Sequence, residues 1–291
     1  MKSFDVSIYG NLIVDNVYEV DSFEESTSNN IKDTYTSLGA CANVIRELGS
    51  LNSNLSISLN SCIGNDSHGK YCKTWIKNFN KIYLGPLHPF LEISKGHTSN
   101  ALVVSSLNKS TRTGAVKWGA CQNMLNFTNH SSAWKHFMYI DKMYNLTENE
   151  LKKLSKNAII SVDFCLGKHS DIEIKRIKSL LQHVDYVFIS ENEAHGLTGI
   201  RDEKDMALKL GNISKGICIL HTPRASYTSN GSYMKVFETN YIEDQSLNVL
   251  GAGDVFCASF ISETIKNGAG NIEDKISFAH KNTTKYLTKG K

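Results

Sequence analysis

The residues best suited to chemistry lie near the C-terminal end of the chain, where residues 248–254 read NVLGAGD. The apolar run at residues 255–261 predicts a helix that starts at this turn and stops at Gly268. A Gly-Ala-Gly turn that opens a helix leaves backbone N–H groups without partners, and these form a site for a negatively charged oxygen. Asp254, in the first turn, could take a proton from a hydroxyl while those amides hold a phosphoryl group during its transfer.

Other structures share part of this pattern. A Gly-x-Gly turn also occurs in plain loops and in dinucleotide-binding folds. The dinucleotide pattern normally has a third glycine three residues further on, and position 256 is Phe. Because Asp254 follows the turn directly, the sequence favours phosphoryl transfer over a purely structural turn.

Composition limits the class of protein. The chain has 291 residues, 41% of them hydrophobic, so it can bury a sizeable core as one domain over residues 1–291. A net charge of +3 without a dense basic run argues against nucleic acid. Seven scattered cysteines without a C-x-x-C pair argue against a zinc site and a disulfide framework. No apolar stretch reaches about 18 residues and no signal peptide is apparent, so we expect a cytoplasmic protein without membrane contact.

The elements that must position these residues alternate along the chain. Apolar runs typical of buried parallel strands lie at residues 4–9, 56–62, 137–140, 158–163, 186–189 and 216–220. Helical patterns lie at residues 40–48, 68–77, 146–155, 171–181, 191–198 and 202–210. This alternation predicts an α/β fold with a parallel sheet, helices on both of its faces, and ligands at the carboxyl ends of the strands.

Two segments break the alternation. Residues 16–36 and 98–118 have a two-residue period, with turn-forming residues at 26–30. They predict an antiparallel appendage to the main sheet.

These patterns together resemble the ribokinase (PfkB) family of sugar and nucleoside kinases. The resemblance is carried by residues 10–15 (GNLIVD), 38–43 (LGACAN), 64–69 (GNDSHG), 190–193 (SENE) and 251–254 (GAGD). It implies a ribokinase-like three-layer αβα sandwich with a mostly parallel central sheet. It also implies that the two insertions form a small β-sheet lid, which closes over the sugar and serves as the surface of a homodimer.

The resemblance assigns three residues to the acceptor. Asp15, at the end of the expected first strand, would accept hydrogen bonds from two sugar hydroxyls, although a turn aspartate after a strand is also common. Gly39 and Asn43 would bring backbone and an amide side chain against the sugar. Leu38 stands where the family usually has a glycine, so we expect a smaller or reshaped pocket.

In the nucleotide half the resemblance assigns Glu193 to magnesium and its waters, and one outer-sphere glutamate is sufficient for Mg²⁺. A surface helix glutamate would explain the same residue equally well. Ser190 replaces the family's asparagine and can cap the helix. Residues 221–226 (HTPRAS) replace a glycine-rich loop that contacts ATP, and Pro223 has neither the freedom of glycine nor an N–H donor.

The remaining candidates for nucleotide contacts are His221, Thr222 and Arg224. For His221 and Arg224, a solvent-facing position in a loop is an equally good interpretation. On the expected lid, Arg112, Lys117 and Trp118 would contact an anionic or ring-bearing substrate, or a subunit interface. Val14 and Cys165 stand where family members often have asparagine, so the resemblance supports the family better than any named sugar.

The sequence therefore predicts a kinase that transfers the γ-phosphoryl group of ATP to a hydroxyl of a small sugar or sugar derivative. Asp254 would act as general base, and the amides of Gly251, Ala252 and Gly253 would hold the phosphoryl oxygens. A nucleoside kinase on the same fold is one alternative. A non-catalytic sugar- or nucleotide-binding regulatory protein derived from a kinase is another, suggested by Leu38 and Pro223.

Overall fold

The computed structural model describes residues 3–24, 27–106, 111–124, 126–165, 169–239, 242, 247, 249–268 and 270–288, without the side chains of residues 111, 112 and 123. The predicted contacts of Arg112, and position 248 of the NVLGAGD segment, therefore lie outside the described part.

Strands and helices alternate through most of the described chain. The strands are β1 Ser3–Tyr9, β2 Leu12–Val20, β3 Ile31–Ala40, β4 Ile57–Gly64, β5 Leu87–Ser94, β6 Asn100–Ser106, β7 Thr111–Lys117, β8 Ser131–Phe137, β9 Ile159–Val162, β10 Tyr186–Ser190, β11 Ile217–His221, β12 Ala225–Ser229 and β13 Met234–Glu238. The helices are α1 Cys41–Leu51, α2 Ser67–Ile82, α3 Glu148–Leu154, α4 Asp171–Leu181, α5 Glu191–Thr198, α6 Glu203–Ile213, α7 Ala252–Asn267 and α8 Ile272–Leu287. No described helix has the length and apolar character needed to cross a membrane.

The larger sheet has the strand order β13-β12-β11-β10-β9-β8-β1-β4-β5. Its strands run parallel from β11 to β5, and the pairs β11–β12 and β12–β13 are antiparallel, so β12 is the one described strand of this sheet that runs in the opposite direction. The predicted mostly parallel sheet is confirmed, and the antiparallel hairpin at one edge is an addition to it.

Helices cover both faces of this sheet. Along β10, Phe188 enters one apolar cluster while Val187 and Ile189 enter another, as side chains that alternate between two buried faces must. The first cluster contains residues of α1, α2, α7 and α8, and the second contains residues of α3, α4, α5 and α6. The three-layer αβα arrangement predicted from the sequence is therefore confirmed.

The two segments that break the alternation form one small sheet with the order β3-β2-β6-β7. The outer pairs are antiparallel, but the central strands β2 and β6 run parallel, so the expectation of a wholly antiparallel appendage is wrong. This is because each segment contributes an antiparallel strand pair, and the first strands of the two pairs join side by side. We call this four-stranded sheet the lid.

The predicted position of Asp15 at the end of the first strand is also wrong. Strand β1 ends at Tyr9, and the chain then enters the lid through β2. Asp15 lies within β2, paired with Ser37 of β3 and Ala101 of β6. Its backbone is thus held by the lid rather than by the larger sheet.

The strand predicted at residues 137–140 is displaced, because β8 covers Ser131–Phe137. Two polar residues of β8 are buried and satisfied inside the protein. Lys135 Nζ donates to the carbonyl of Leu154 at 2.7 Å, and His136 Nδ1 lies 2.9 Å from Ser161 Oγ. Because these polar residues interrupt the apolar run, the sequence pattern does not identify this segment as a buried strand.

Candidate active site

Three predicted site residues lie at the carboxyl ends of two neighbouring strands, β10 and β11, or in helix α5, which follows β10. Strand β10 ends at Ser190, α5 then carries Glu193 in its first turn, and β11 ends at His221. Since β10 and β11 are parallel, these carboxyl ends meet at one edge of the sheet.

The glycine turn that opens α7 has the geometry expected of it. Gly251 precedes the helix with φ of +82°, a conformation that glycine adopts without strain. A Cβ at this position would also lie 3.0 Å from Asn43 Nδ2 and 3.2 Å from the Tyr286 hydroxyl. That hydroxyl donates to the carbonyl of Leu250 at 2.6 Å, so α8 supports the turn from behind.

Gly253 and Asp254 lie in the first turn of α7, where backbone N–H groups have no acceptor inside the helix. The N–H of Ala252 donates to the carbonyl of Val249 at 3.3 Å, a long bond that closes the turn. One of the predicted anion-binding amides therefore has an acceptor within the chain. The proposed set of three amides stays a prediction.

Asp254 connects α7 to α1. Its Oδ2 accepts a hydrogen bond from Asn43 Nδ2 at 2.7 Å, and its side chain is partly exposed. Asn43 Oδ1 accepts from Arg46 Nη1 at 3.0 Å, so the amide is held at both ends. The structure thus brings two predicted residues together across 211 positions of sequence. The predicted contact between Asn43 and the acceptor stays a prediction.

Asp15 reaches the same place from the lid. Its side chain is only 7% exposed, and a Cβ added at Gly39 would overlap Asp15 Oδ2. Gly39 therefore permits the approach of this carboxylate. Since β3 continues directly into α1, Gly39 links Asp15 along the chain to Asn43, which bonds Asp254.

Glu193, in the first turn of α5, is partly buried. Its carboxylate accepts the backbone N–H of Ser190 at 2.9 Å and so caps α5. Burial raises the pKa of Glu193 to about 7, and the nearby carboxylates of Asp163 and Asp141 add to this effect. The predicted role of Glu193 toward magnesium stays a prediction.

His221 lies close to the turn at the start of α7. A Cβ at Gly253 would lie 3.4 Å from His221 Cε1, and the imidazole packs against Phe256 with ring centres 5.4 Å apart. Burial, with a contribution from His280, lowers the pKa of His221 to about 4. This imidazole is therefore neutral at pH 7 and can contact a phosphate only as an N–H donor.

A cavity of about 700 Å³ lies between β13 and α8. It is lined by Phe237, Glu238, Thr239, Glu273, Asp274, Ile276, Ser277, His280, Lys281 and Thr284. His280 also packs against Phe256, the ring that contacts His221. A continuous row of rings thus joins the cavity to the first turn of α7.

A family model described as pfkB family carbohydrate kinase matches residues 3–283. The chain belongs to the PfkB family. Members of this family are phosphotransferases of the kinase class. A search of curated protein sequences finds no match.

Solved structures of the ribokinase-like fold align over nearly the whole chain. A ribokinase from Giardia lamblia has a TM-score of 0.79 at 15% identity, covering 99% of this chain and 94% of its own. Adenosine kinase from Sinorhizobium meliloti has a TM-score of 0.76 at 14% identity, with 98% and 94% coverage. A nucleoside kinase from Methanocaldococcus jannaschii has a TM-score of 0.71 at 18% identity, with 99% and 92% coverage. The predicted ribokinase-like fold is confirmed.

The segment where this PfkB chain departs from the expected glycine-rich loop is a tight hairpin turn between β11 and β12. The N–H of Thr222 donates to the carbonyl of Ala225 at 2.8 Å. The hydroxyl of Thr222 accepts from the N–H groups of Arg224 and Ala225 at 3.2 and 3.0 Å. Pro223 suits the early position of such a turn. Thr222 thus stabilises the turn, while Arg224 is exposed.

At the base of the lid, Trp118 lies against Tyr139 and Lys142, with 6.2 Å between the ring centres and 6.0 Å from Lys142 Nζ to the indole. Tyr139 donates its N–H to Asp163 Oδ1 at 2.5 Å, just after β9. Trp118 therefore faces the carboxyl edge of the larger sheet. Lys117 is exposed beside it.

Sequence reasoning missed three neighbours of the site: Arg46, Tyr286 and His280. Arg46 lies three residues after Asn43 in a predicted helix, and that spacing was the available signal. The other two lie on α8 (Ile272–Leu287), a helix that the sequence analysis did not predict although its residues have a helical apolar period.

Proposed function

We propose that the protein is an ATP-dependent kinase that phosphorylates a hydroxyl of a small sugar or sugar derivative. The observation that supports this most is the partly exposed carboxylate of Asp254, oriented by Asn43 at 2.7 Å in the first turn of α7. Asp15 packs against Gly39, four residues before Asn43, and would offer a second carboxylate for the hydroxyls of a polyol.

In the proposed reaction, Asp254 takes the proton of the acceptor hydroxyl as its oxygen attacks the γ-phosphorus of ATP. The new oxygen–phosphorus bond forms while the bond from the γ-phosphorus to the bridging oxygen breaks, and ADP leaves. The N-terminus of α7 stabilises the negative charge on the transferring group. Asp15 and Gly39 hold the acceptor in line with the phosphorus.

The residues present fit Mg²⁺ as a partner of the nucleotide. In the described chain no three His, Cys, Asp or Glu side chains are grouped to hold a metal ion. Mg²⁺ would therefore be held by phosphate oxygens and water, with Glu193 orienting that water shell. When bound, the ion neutralises charge on the phosphates.

The cavity between β13 and α8 is the proposed site of the nucleotide base, because His280, Phe256 and His221 connect it to the first turn of α7. We expect Ser277→Trp, which fills the cavity from an exposed position, to raise the KM for ATP by about tenfold, or about 1.4 kcal/mol. Acceptor KM should stay unchanged. Initial rates of ADP release measure both constants.

The matched control is Lys285→Trp, which adds the same ring to an exposed part of α8 outside the cavity lining. Equal KM values for ATP in both variants would exclude the cavity as the nucleotide site.

A panel of sugars and nucleosides, assayed by ADP release with ATP and Mg²⁺, tests the function. Turnover with sugars alone supports the proposal, and turnover with nucleosides alone replaces it by the nucleoside kinase. If no acceptor reacts and calorimetry detects no binding of ATP, the non-catalytic alternative is favoured.

The proposal includes a homodimer through the lid. Leu102, on the central lid strand β6, exposes 49% of its surface. We expect sedimentation equilibrium to give a dimer, and Leu102→Lys to give a folded monomer. A wild-type monomer at high concentration would contradict this part.

A further inference from the structure

The side-chain amide of Asn43 lies between a carboxylate and a guanidinium. Nδ2 donates to Asp254 Oδ2 at 2.7 Å, and Oδ1 accepts from Arg46 Nη1 at 3.0 Å. Arg46 lies three residues after Asn43 on α1, so the two side chains share one face of the helix.

Arg46 dictates which way this amide points. A guanidinium has only donors and a carboxylate only acceptors. Rotating the amide by half a turn would place its NH₂ group against Arg46 and its oxygen against Asp254, and both contacts would be repulsive. With Arg46 in place, the NH₂ group must face Asp254.

The same guanidinium contacts the lid. Arg46 Nη2 donates to the carbonyl of Leu38 at 3.3 Å, and Leu38 is paired with Val14, the residue before Asp15. The guanidinium carbon also lies 6.0 Å from the centre of the Trp75 ring on α2. One side chain therefore joins α1, the lid strand β3 and, through Asn43, the carboxylate of Asp254.

We propose that Arg46 is a positioning residue for phosphoryl transfer, which orients Asp254 through the amide of Asn43 and couples that orientation to the lid. This inference rests on the proposed kinase function. Arg46 does not touch the acceptor in this role. Its Nη1 and Nη2 groups donate to two different acceptors from one planar guanidinium. A lysine, with a single ammonium group, therefore replaces it only in part.

The test compares Arg46→Ala and Arg46→Lys with the wild type. We expect kcat to fall about tenfold in Arg46→Ala and less in Arg46→Lys, with the KM for ATP unchanged. Because Arg46 is exposed, added guanidinium ions should restore part of the lost kcat in Arg46→Ala. Arg201→Ala, which removes an exposed arginine elsewhere, is the control and should retain full turnover.

A double-mutant cycle separates positioning from a general loss of stability. If Arg46 acts through Asn43, Arg46→Ala should have little further effect on kcat in an Asn43→Ala background. A full and independent tenfold loss in that background would overturn the proposal. So would unchanged kcat in Arg46→Ala.

A second readout does not depend on activity. The side-chain NH₂ signal of Asn43 in a ¹H–¹⁵N spectrum, assigned by its loss in Asn43→Ala, should shift in Arg46→Ala and stay in place in Arg201→Ala. An Asn43 signal that Arg46→Ala leaves unmoved overturns the inference even if the kinase is active. A wild type without turnover overturns the proposed function instead, and the spectrum still tests the amide orientation.

Discussion

Asp254→Asn is expected to lower turnover by about two to four orders of magnitude while acceptor affinity stays nearly unchanged. The substitution keeps the shape of the side chain, and its amide oxygen can still accept from Asn43 Nδ2. It removes the basic carboxylate. If the proton of the acceptor hydroxyl leaves to this group during attack, the loss therefore falls on kcat rather than on binding.

Turnover is measured by ADP release with the acceptor found in the panel, and acceptor binding by calorimetry. Asp171→Asn is the matched control, because Asp171 is an exposed acid in the first turn of α4. It should lose only the small stabilising effect of an acid at a helix N-terminus. Near-normal turnover of Asp254→Asn would remove Asp254 as the base, and equal losses in both variants would point to a general helix effect.

Elements with local signals are the ones that sequence could predict. Helices α4 and α5 begin and end at the predicted residues, Asp171–Leu181 and Glu191–Thr198. Each is preceded by a serine whose backbone N–H donates to the glutamate at the third helical position, a local pattern that fixes a helix start within four residues. The glycine turn before α7 could be predicted for the same reason, because consecutive residues determine it.

Features that depend on distant partners were not predictable in the same way. The hydrogen bond from Asn43 to Asp254 spans 211 positions, and only the family resemblance placed the two residues in one site. Asp15 was placed on the wrong strand because the residues alone do not tell where the chain leaves the larger sheet for the lid. The predicted position of β8 was wrong because its buried polar residues, Lys135 and His136, interrupt the apolar pattern. They are hydrogen-bonded to partners far along the chain.

Glu193 illustrates a conflict between stability and the proposed function. A surface glutamate and a metal-orienting glutamate were equally consistent with the sequence. In the structure Glu193 is partly buried, which excludes a fully solvated position, and burial raises its pKa to about 7. Its role toward magnesium stays a proposal, and the cost of charging it can be measured separately.

Glu193→Gln is expected to stabilise the fold at pH 8 and to impair the enzyme. A buried carboxyl whose folded pKa is raised contributes stability that is fully present below its unfolded pKa and is lost as pH rises through the folded value. For a shift from 4.5 to about 7 the loss is about 3 kcal/mol at most, complete above pH 7. Glutamine stays neutral and can still accept the N–H of Ser190.

The free energy of unfolding of Glu193→Gln, relative to wild type, should therefore increase between pH 5 and pH 8, as denaturant titrations at both values would measure. Glu191→Gln, at an exposed position in the same helical turn, should show no such increase. A difference from wild type that is the same at both pH values would contradict the buried-charge explanation. If the charge also orients the water shell of magnesium, the same variant should lose about 10- to 100-fold in kcat/KM for the magnesium nucleotide. A gain in stability with unchanged activity would separate the two roles, and it would leave the charge of Glu193 without a function in catalysis.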